Sequence, residues 1–187
     1  MIEITGSITR TFILPSEPAP ALTFFDDITR VIEFTPNITL VHTYSQDQIR
    51  TLYESEELGT YKIRIYSDLQ IDRNWDDYVL DVYSINIPAA VPIEPEATNR
   101  TTTGFGTFSI QVKLFDLGDQ TRIEFTNRLQ AKLLRPTGMR LMPKRVVNRI
   151  AKGIAESRNR DIADGFIKNA IENYTEWLNQ NQYQIQS

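Results

Sequence analysis

Residues 108–133, FSIQVKLFDLGDQTRIEFTNRLQAKL, decide how the sheet of this protein must be built. Apolar side chains alternate with polar ones on both sides of the segment Asp116–Leu117–Gly118–Asp119, which has the composition of a tight turn. The pattern predicts two long antiparallel strands with one apolar and one wet face. Such a face needs a cover from another part of the chain.

The cover is predicted on the C-terminal side of this hairpin. After Pro136–Thr137–Gly138 the pattern becomes helical to about Leu178, with one apolar stripe around Ile150 and another around Phe166. The two stripes point in different directions, so we expect either a bend near Gly153 or Ser157 or a helix whose halves cover different surfaces.

Upstream of the hairpin, alternation predicts five more strands, which makes seven in all. They fall within residues 2–14, 38–44, 49–53, 61–69 and 78–82. A helical pattern covers residues 21–34, and the proline-rich segment 87–103 is expected to be an irregular, lid-like connection. The fold class is therefore α+β, a grip of seven antiparallel strands around a long C-terminal helix. We expect one domain over residues 1–178 and a polar tail over 179–187.

Composition excludes several kinds of chemistry. The chain has 187 residues with no cysteine and a single histidine, so thiolate sites, cysteine nucleophiles and multi-histidine metal sites are ruled out. We predict no metal and no cofactor. The N-terminus lacks the pattern of a secretory signal and no apolar run is long enough to span a bilayer, which predicts a cytoplasmic location.

The order of elements resembles the SRPBCC superfamily, which includes START-like lipid carriers and polyketide cyclases. The likeness is carried by residues 21–38, ALTFFDDITRVIEFTPNI, which match the family's first helix and the following proline, and by the closing pattern of residues 114–174. The resemblance implies a helix-grip fold with an apolar cavity between sheet and helix, in which family members hold sterols, acyl chains, isoprenoids or polyketides.

Inward-phased side chains on these elements are the candidate ligand-binding residues. They are His42, Tyr44, Tyr61, Ile63, Tyr78, Leu80, Phe108, Ile110, Phe125, Asn127, Phe166 and Tyr174. His42 shares the phase of Leu40 and could act as an acid or base, or be an ordinary core histidine. Asn127 interrupts an apolar row, where its amide needs a ligand or a water as partner, unless a β-bulge turns it outward or Thr or Tyr side chains satisfy it.

Charge is concentrated in one segment. Residues 128–160 carry 10 basic residues and one acid, whereas residues 1–127 carry 9 basic residues and 19 acids. The cations expected to contact an anionic surface are Arg135, Arg140, Lys144, Arg145, Arg149 and Lys152. An anionic membrane or an acidic protein fits them, and so does pairing with the protein's own acidic loops. Nucleic acid is not expected, because the rest of the chain is acidic.

The sequence thus favours a protein that binds a hydrophobic small molecule and is non-catalytic or at most weakly catalytic. One alternative is a cyclase or dehydratase that uses the same cavity, with His42 as its acid or base. The other is a structural or assembly protein whose cavity is closed by its own aromatic side chains.

Overall fold

The computed structural model describes residues 1–57 and 59–185, with side chains as far as residue 181. The strands are β1 (Ile2–Leu14), β2 (Ile38–Thr43), β3 (Gln48–Glu57), β4 (Tyr61–Asn74), β5 (Val79–Ser84), β6 (Glu96–Ala97), β7 (Thr101–Asp116) and β8 (Thr121–Leu133). The helices are α1 (Pro18–Asp26), α2 (Ile28–Phe34) and α3 (Lys144–Ile185), with a 3-10 turn at Thr137–Met139.

The strands form one sheet in the order β1-β8-β7-β5-β4-β3-β2, with the short β6 beside β7. The quoted hairpin forms as predicted: β7 pairs with β8 from Gly106–Ala131 to Asp116–Thr121. Because β5 ends at Ser84, the first part of β7 lies directly against β4, and these two strands run parallel. The predicted α+β helix-grip is therefore confirmed, with β6 as a short eighth strand.

The inner face of the sheet follows the predicted alternation. Along β8, Ile123, Phe125 and Asn127 are buried, while Arg128 and Gln130 on the outer face are exposed. At the turn between β7 and β8, Gly118 has a φ of +90°, and its amide donates to the Asp116 carboxylate. Gly118 supplies the positive φ that this tight turn needs.

The predicted helix over residues 21–34 is two short helices. The break falls at Asp27, whose backbone is extended and whose carboxylate accepts a hydrogen bond from the amide of Arg30. An aspartate that caps the second helix in this way competes with continuation of the first.

The segment expected to be irregular, residues 87–103, is shorter than predicted. It contains β6, and β7 begins at Thr101, so Gly104–Phe105–Gly106 lies within a strand. Irregular backbone is confined to residues 85–95 and 98–100. The prolines at 88, 92 and 95 keep residues 85–95 irregular, because a proline has no backbone N–H to donate to a strand partner.

Helix α3 covers the inner face, and its two halves bury different surfaces, as one of the two sequence alternatives anticipated. Val147, Ala151 and Ala155 pack into a small aliphatic cluster, whereas Phe166 and Tyr174 pack into a larger one. The helix continues through part of the predicted polar tail to Ile185; residues 186 and 187 lie outside the described residues. None of the described helices is apolar enough over a sufficient length to cross a membrane.

Candidate functional site

One half of the interior between sheet and helix contains a cluster of buried aromatic rings. Five fully buried rings, which we call the aromatic compartment, are Phe24, Phe25, Phe125, Phe166 and Tyr174. Phe125 stacks on Phe166 at 4.8 Å between ring centroids, and Phe24 meets Tyr174 edge-on at 5.0 Å. Close-packed rings leave no room for a ligand there.

Eight of the predicted ligand-binding residues belong to this filled region or its border. Leu80, Phe108, Ile110, Phe125, Phe166 and Tyr174 are buried in the larger cluster, Tyr78 packs partly buried against it, and Asn127 lies at its boundary. Burial raises the pKa of the Tyr174 phenol, and its hydroxyl is hydrogen-bonded to that of Ser16. These residues form a core in this structure.

The other half of the interior holds a small apolar pocket, beneath the first turns of α3. It has a volume of about 50 Å³ and is lined almost wholly by carbon; we call it the α3-start pocket. The sheet contributes Ile2, Ile4, Ile63 and Leu133, and α3 contributes Val147, Ile150 and Ile154. Of the predicted ligand-binding residues, Tyr61 and Ile63 line it.

The α3-start pocket is closed at one end by the segment between β8 and α3. Pro136 and Met139 line the pocket, and Met142 packs against the same aliphatic cluster. Arg135 holds this segment by donating to the carbonyl of Met142 at 2.6 Å. Between the two methionines, Leu141 is 100 % exposed.

A buried ion pair lies at the other end of the α3-start pocket. Glu57 lines the pocket with its side chain 7 % exposed, and Arg158 of α3 donates to both carboxylate oxygens at 2.8 and 3.1 Å. Arg158 also donates to Asp161 at 3.0 Å. The hydrogen bonds to Glu57, above all, raise the pKa of Arg158.

A buried pair of amides separates the two halves of the interior. Asn127 donates to the side-chain oxygen of Asn159 at 2.6 Å, and both residues are almost completely buried. The side-chain oxygen of Asn127 has no partner within the part of the chain that the structure describes. The partner of Asn127 is therefore Asn159, a side chain that the sequence analysis did not name.

The prediction that His42 and Tyr44 point inward is wrong. A bulge after Leu40 shifts the register of β2, so that Leu40 faces Thr51 but His42 faces Arg50 on the outer side of the sheet. His42 is exposed and packs edge-on against Tyr44 at 4.5 Å. The bulge adds one residue to β2 and reverses the phase of everything after it.

Under the segment 85–95, the outer face carries a buried ion pair that sequence reasoning missed. Arg50 donates to both oxygens of Asp68 at 2.7 and 2.9 Å, and to the carbonyl of Val91 at 2.6 Å. The hydrogen bond to Asp68, more than any other cause, raises the pKa of Arg50. Both residues occupy outward positions of their strands, where the sequence alone predicts ordinary solvated charges.

The six cations predicted to contact an anionic surface lie between the end of β8 and the first turns of α3. Five of these six are exposed: Arg140, Lys144, Arg145, Arg149 and Lys152. Arg135 is half-buried. Among the ion pairs between described residues, the six predicted cations contribute one, Lys152 with Glu156 at 3.7 Å. Pairing with the protein's own acidic loops therefore does not account for this charge.

Several residues of the α3-start pocket were not predicted. Glu57 and Arg158 are 101 residues apart in sequence, and no local pattern links them. Ile150 and Ile154 could have been found, because their spacing already marks one helical stripe. The described residues contain no group of three or more histidines or acids placed to hold a metal ion.

Comparisons with known proteins agree with this architecture. The ZhuI aromatase/cyclase of Streptomyces sp. R1128 superposes with a TM-score of 0.53 at 8 % identity, over 95 % of both chains. A conserved protein of Geobacillus kaustophilus gives 0.52 at 11 % identity, over 92 % of this chain and 95 % of that one. Human STARD10 gives 0.50 at 15 % identity, over 95 % of this chain and 68 % of that one.

These structures define the class of the fold: the protein has a START-like helix-grip fold. No protein-family model matches the sequence, and no curated protein matches it either. At such low identity the likeness extends to the fold, and the chemistry has to be argued from the site.

Proposed function

We propose that the protein binds a hydrophobic small molecule in the α3-start pocket. The observation that carries the proposal is the lining, which is almost wholly carbon and lies where two elements meet without aromatic filling. Apolar walls with a few polar groups at one end are typical of ligand sites. The aromatic compartment offers no comparable space.

Binding requires the α3-start pocket to enlarge. Its volume is about 50 Å³, whereas small-molecule sites usually hold at least about 300 Å³. The segment between β8 and α3 is the element best suited to move, because Met139 and Met142 are half-buried and methionine side chains adapt easily. A ligand would displace these side chains and occupy the space between β4 and α3.

The experiment compares two variants on the same helix. Ile150→Trp fills the α3-start pocket, whereas Val146→Trp places the same ring on a side chain that is 42 % exposed and does not line the pocket. Each protein is purified natively, extracted with solvent and examined by mass spectrometry, then titrated with fluorescent acyl probes. We expect wild type and Val146→Trp to bind and Ile150→Trp not to bind. Equal binding by all three proteins would refute the proposal.

We propose further that the basic segment brings the closed end of the pocket to an anionic membrane. Leu141 is fully exposed in the chain between Met139 and Met142, and five exposed cations lie within residues 140–152. Cations attract anionic headgroups by about 1 kcal/mol each near the surface, and an exposed leucine can enter the interface. The acidic turn between β7 and β8 lies at the opposite end of β8, about 40 Å along the strand at roughly 3.3 Å per residue.

Vesicle flotation tests the membrane proposal. Reversing Arg145 and Arg149 to glutamate should lower association with vesicles containing phosphatidylserine more than tenfold. The same reversal at Arg128 and Arg160, which are exposed elsewhere, should have a much smaller effect. Leu141→Ser should weaken binding without changing its salt dependence. Equal losses from both double reversals would contradict a docking role for this segment.

The structure bears differently on the two alternative functions, the cyclase and the structural or assembly protein. A cyclase would need His42 to converge on one pocket with Asn127 or a tyrosine. Asn127 lies on the opposite face of the sheet, and Tyr44, which packs against His42, lies with it on the outer face. The structural or assembly alternative is favoured by one observation, the aromatic filling of the larger compartment. It would prevail if the α3-start pocket bound no ligand in the comparison above.

A further inference from the structure

A second, smaller cleft lies between the beginning of β1 and the first turns of α3. It has a volume of about 160 Å³, and part of its surface is polar. We call it the basic cleft, and its lining is Met1, Ile2, Arg135, Lys144, Val147 and Asn148. Because Ile2 and Val147 also line the α3-start pocket, the two spaces share a wall.

Both charged side chains of the basic cleft are cations. Arg135 lies just after β8, and Lys144 is the first residue of α3. Neither belongs to an ion pair between residues that the structure describes. Residues 128–155 contain no aspartate or glutamate that could balance them. Two unbalanced positive charges beside aliphatic walls attract an anion more strongly than they would in open water.

The guanidinium of Arg135 is held in position by the protein itself. It is half-buried, and it donates to the carbonyl of Met142 at 2.6 Å and to that of Arg140 at 3.4 Å. A guanidinium has several N–H donors, so these two bonds leave others for a ligand. A cation that is already positioned loses little conformational entropy when an anion binds to it.

Asn148 adds a neutral polar group whose hydrogen bonding the protein leaves incomplete. Its side-chain oxygen is buried and has no partner within the described part of the chain. That oxygen therefore does not hold the amide in one orientation, and an amide turned about its last torsion presents its NH₂ group instead. A ligand with acceptor oxygens in the basic cleft would give this amide a partner.

The size of the basic cleft limits which anion it admits. A volume of about 160 Å³ corresponds to about five water molecules at roughly 30 Å³ each. One phosphate group fits this space, whereas most small-molecule ligands need at least about 300 Å³. A phosphate monoester carries about −1.5 to −2 charges near pH 7 on its terminal oxygens, which matches two cations. A phosphodiester carries less charge and a substituent on both sides.

We infer that the basic cleft binds the terminal phosphate of a phosphate monoester, such as the headgroup of phosphatidic acid. Arg135 and Lys144 hold the phosphate oxygens, and Asn148 donates to one of them. The exposed Arg145 and Arg149 do not line the cleft and attract the anionic surface as a whole. This inference rests on the membrane proposal and adds the headgroup that the surface selects.

The test uses phosphatidylcholine vesicles that contain either phosphatidic acid or phosphatidylserine, adjusted to equal surface potential. Flotation measures the affinity of the wild-type protein for each kind of vesicle. We expect binding to the phosphatidic acid vesicles to be at least about fivefold tighter, because its phosphate carries more charge and reaches both cations. Equal binding to the two kinds of vesicle would overturn the inference.

Two neighbouring cations provide a matched pair of variants. Lys144→Gln removes one charge from the lining and should reduce the preference for phosphatidic acid to within about twofold. Arg145→Gln removes one charge from the next residue, outside the lining, so it should weaken binding to both vesicles and keep the preference. Asn148→Ala should narrow the preference without changing the charge. A preference that survives both Lys144→Gln and Asn148→Ala would overturn the inference.

Glycerol 3-phosphate, titrated without vesicles, shows whether the phosphate must belong to a lipid. Shifts of the Val147 methyl signals that Lys144→Gln abolishes would support binding of a free monoester. No shifts, together with the vesicle preference, would support a lipid headgroup. Neither shifts nor a preference would overturn the inference, and the membrane proposal would still stand if reversal of Arg145 and Arg149 lowered vesicle binding. If that reversal also had no effect, both would fail.

Discussion

The two halves of the interior lie under the same helix and against the same sheet, yet they are packed differently. The aromatic compartment is filled by rings in contact, whereas the α3-start pocket is walled by aliphatic side chains and keeps a small void. Glycines do not create that void: a Cβ on Gly106 would lie 2.6 Å from Ile65, and one on Gly104 would lie 3.0 Å from Leu133. The two glycines instead let the side chains of Ile65 and Leu133 lie close to the backbone. In this grip, a small void remains where the interior is not filled by stacked aromatic rings.

The largest expected contrast is in stability. Phe166→Ala removes a fully buried ring from the aromatic compartment and should lower the free energy of unfolding by about 3–5 kcal/mol. Ile154→Ala, on the same helix but at the half-exposed wall of the α3-start pocket, should cost about 1 kcal/mol. Urea unfolding of the two variants measures both values. Comparable losses would show that the two compartments are equally well packed.

The boundary between the compartments should give an intermediate effect. Asn127→Ala leaves the buried amide of Asn159 without its partner and should cost about 1–3 kcal/mol. The double variant with Asn159→Ala should lose less than the sum of the two single variants, because neither amide is then left unpaired. Chemical denaturation of all four proteins completes the cycle. If the losses in free energy of unfolding of the two single variants added up to that of the double variant, the two amides would not depend on each other.

The smallest expected effect is a dependence of stability on alkaline pH. Burial raises the pKa of Tyr174 in the aromatic compartment. Below about pH 10 both folded and unfolded chains keep the phenol proton. Above it the unfolded chain releases the proton first, so the free energy of unfolding falls until the pKa of the folded protein is passed. Tyr174→Phe should reduce this alkaline loss, whereas an identical pH profile would contradict the assignment.

Much of the fold could be predicted because local patterns carry it. Alternation in residues 108–133 gave the hairpin, and helical spacing after residue 138 gave α3. The bulge in β2 could not be predicted, since nothing in Leu40–Val41–His42 marks an extra residue, and it moved His42 to the outer face. The break at Asp27 has a local signal, a capping side chain, which a continuous apolar stripe concealed.

The candidate site was predicted only in part for a different reason. Inward phase identifies which side chains face the interior, and Tyr61 and Ile63 were found in this way. It does not show which part of the interior is full, because that depends on how rings from α1, β8 and α3 meet. The pair of Glu57 and Arg158 depends on the position of α3 over the sheet, which no spacing along the chain reveals.

The central claim is that a ligand enters the α3-start pocket and leaves the aromatic compartment unchanged. Methyl-detected NMR tests it directly, because both regions carry isoleucine, leucine or valine reporters. On titration with decanol we predict shifts for the methyl groups of Ile63, Val147 and Ile154, and none for Leu80 and Ile110. Shifts confined to Leu80 and Ile110, or absent from both sets at saturating ligand, would contradict the account.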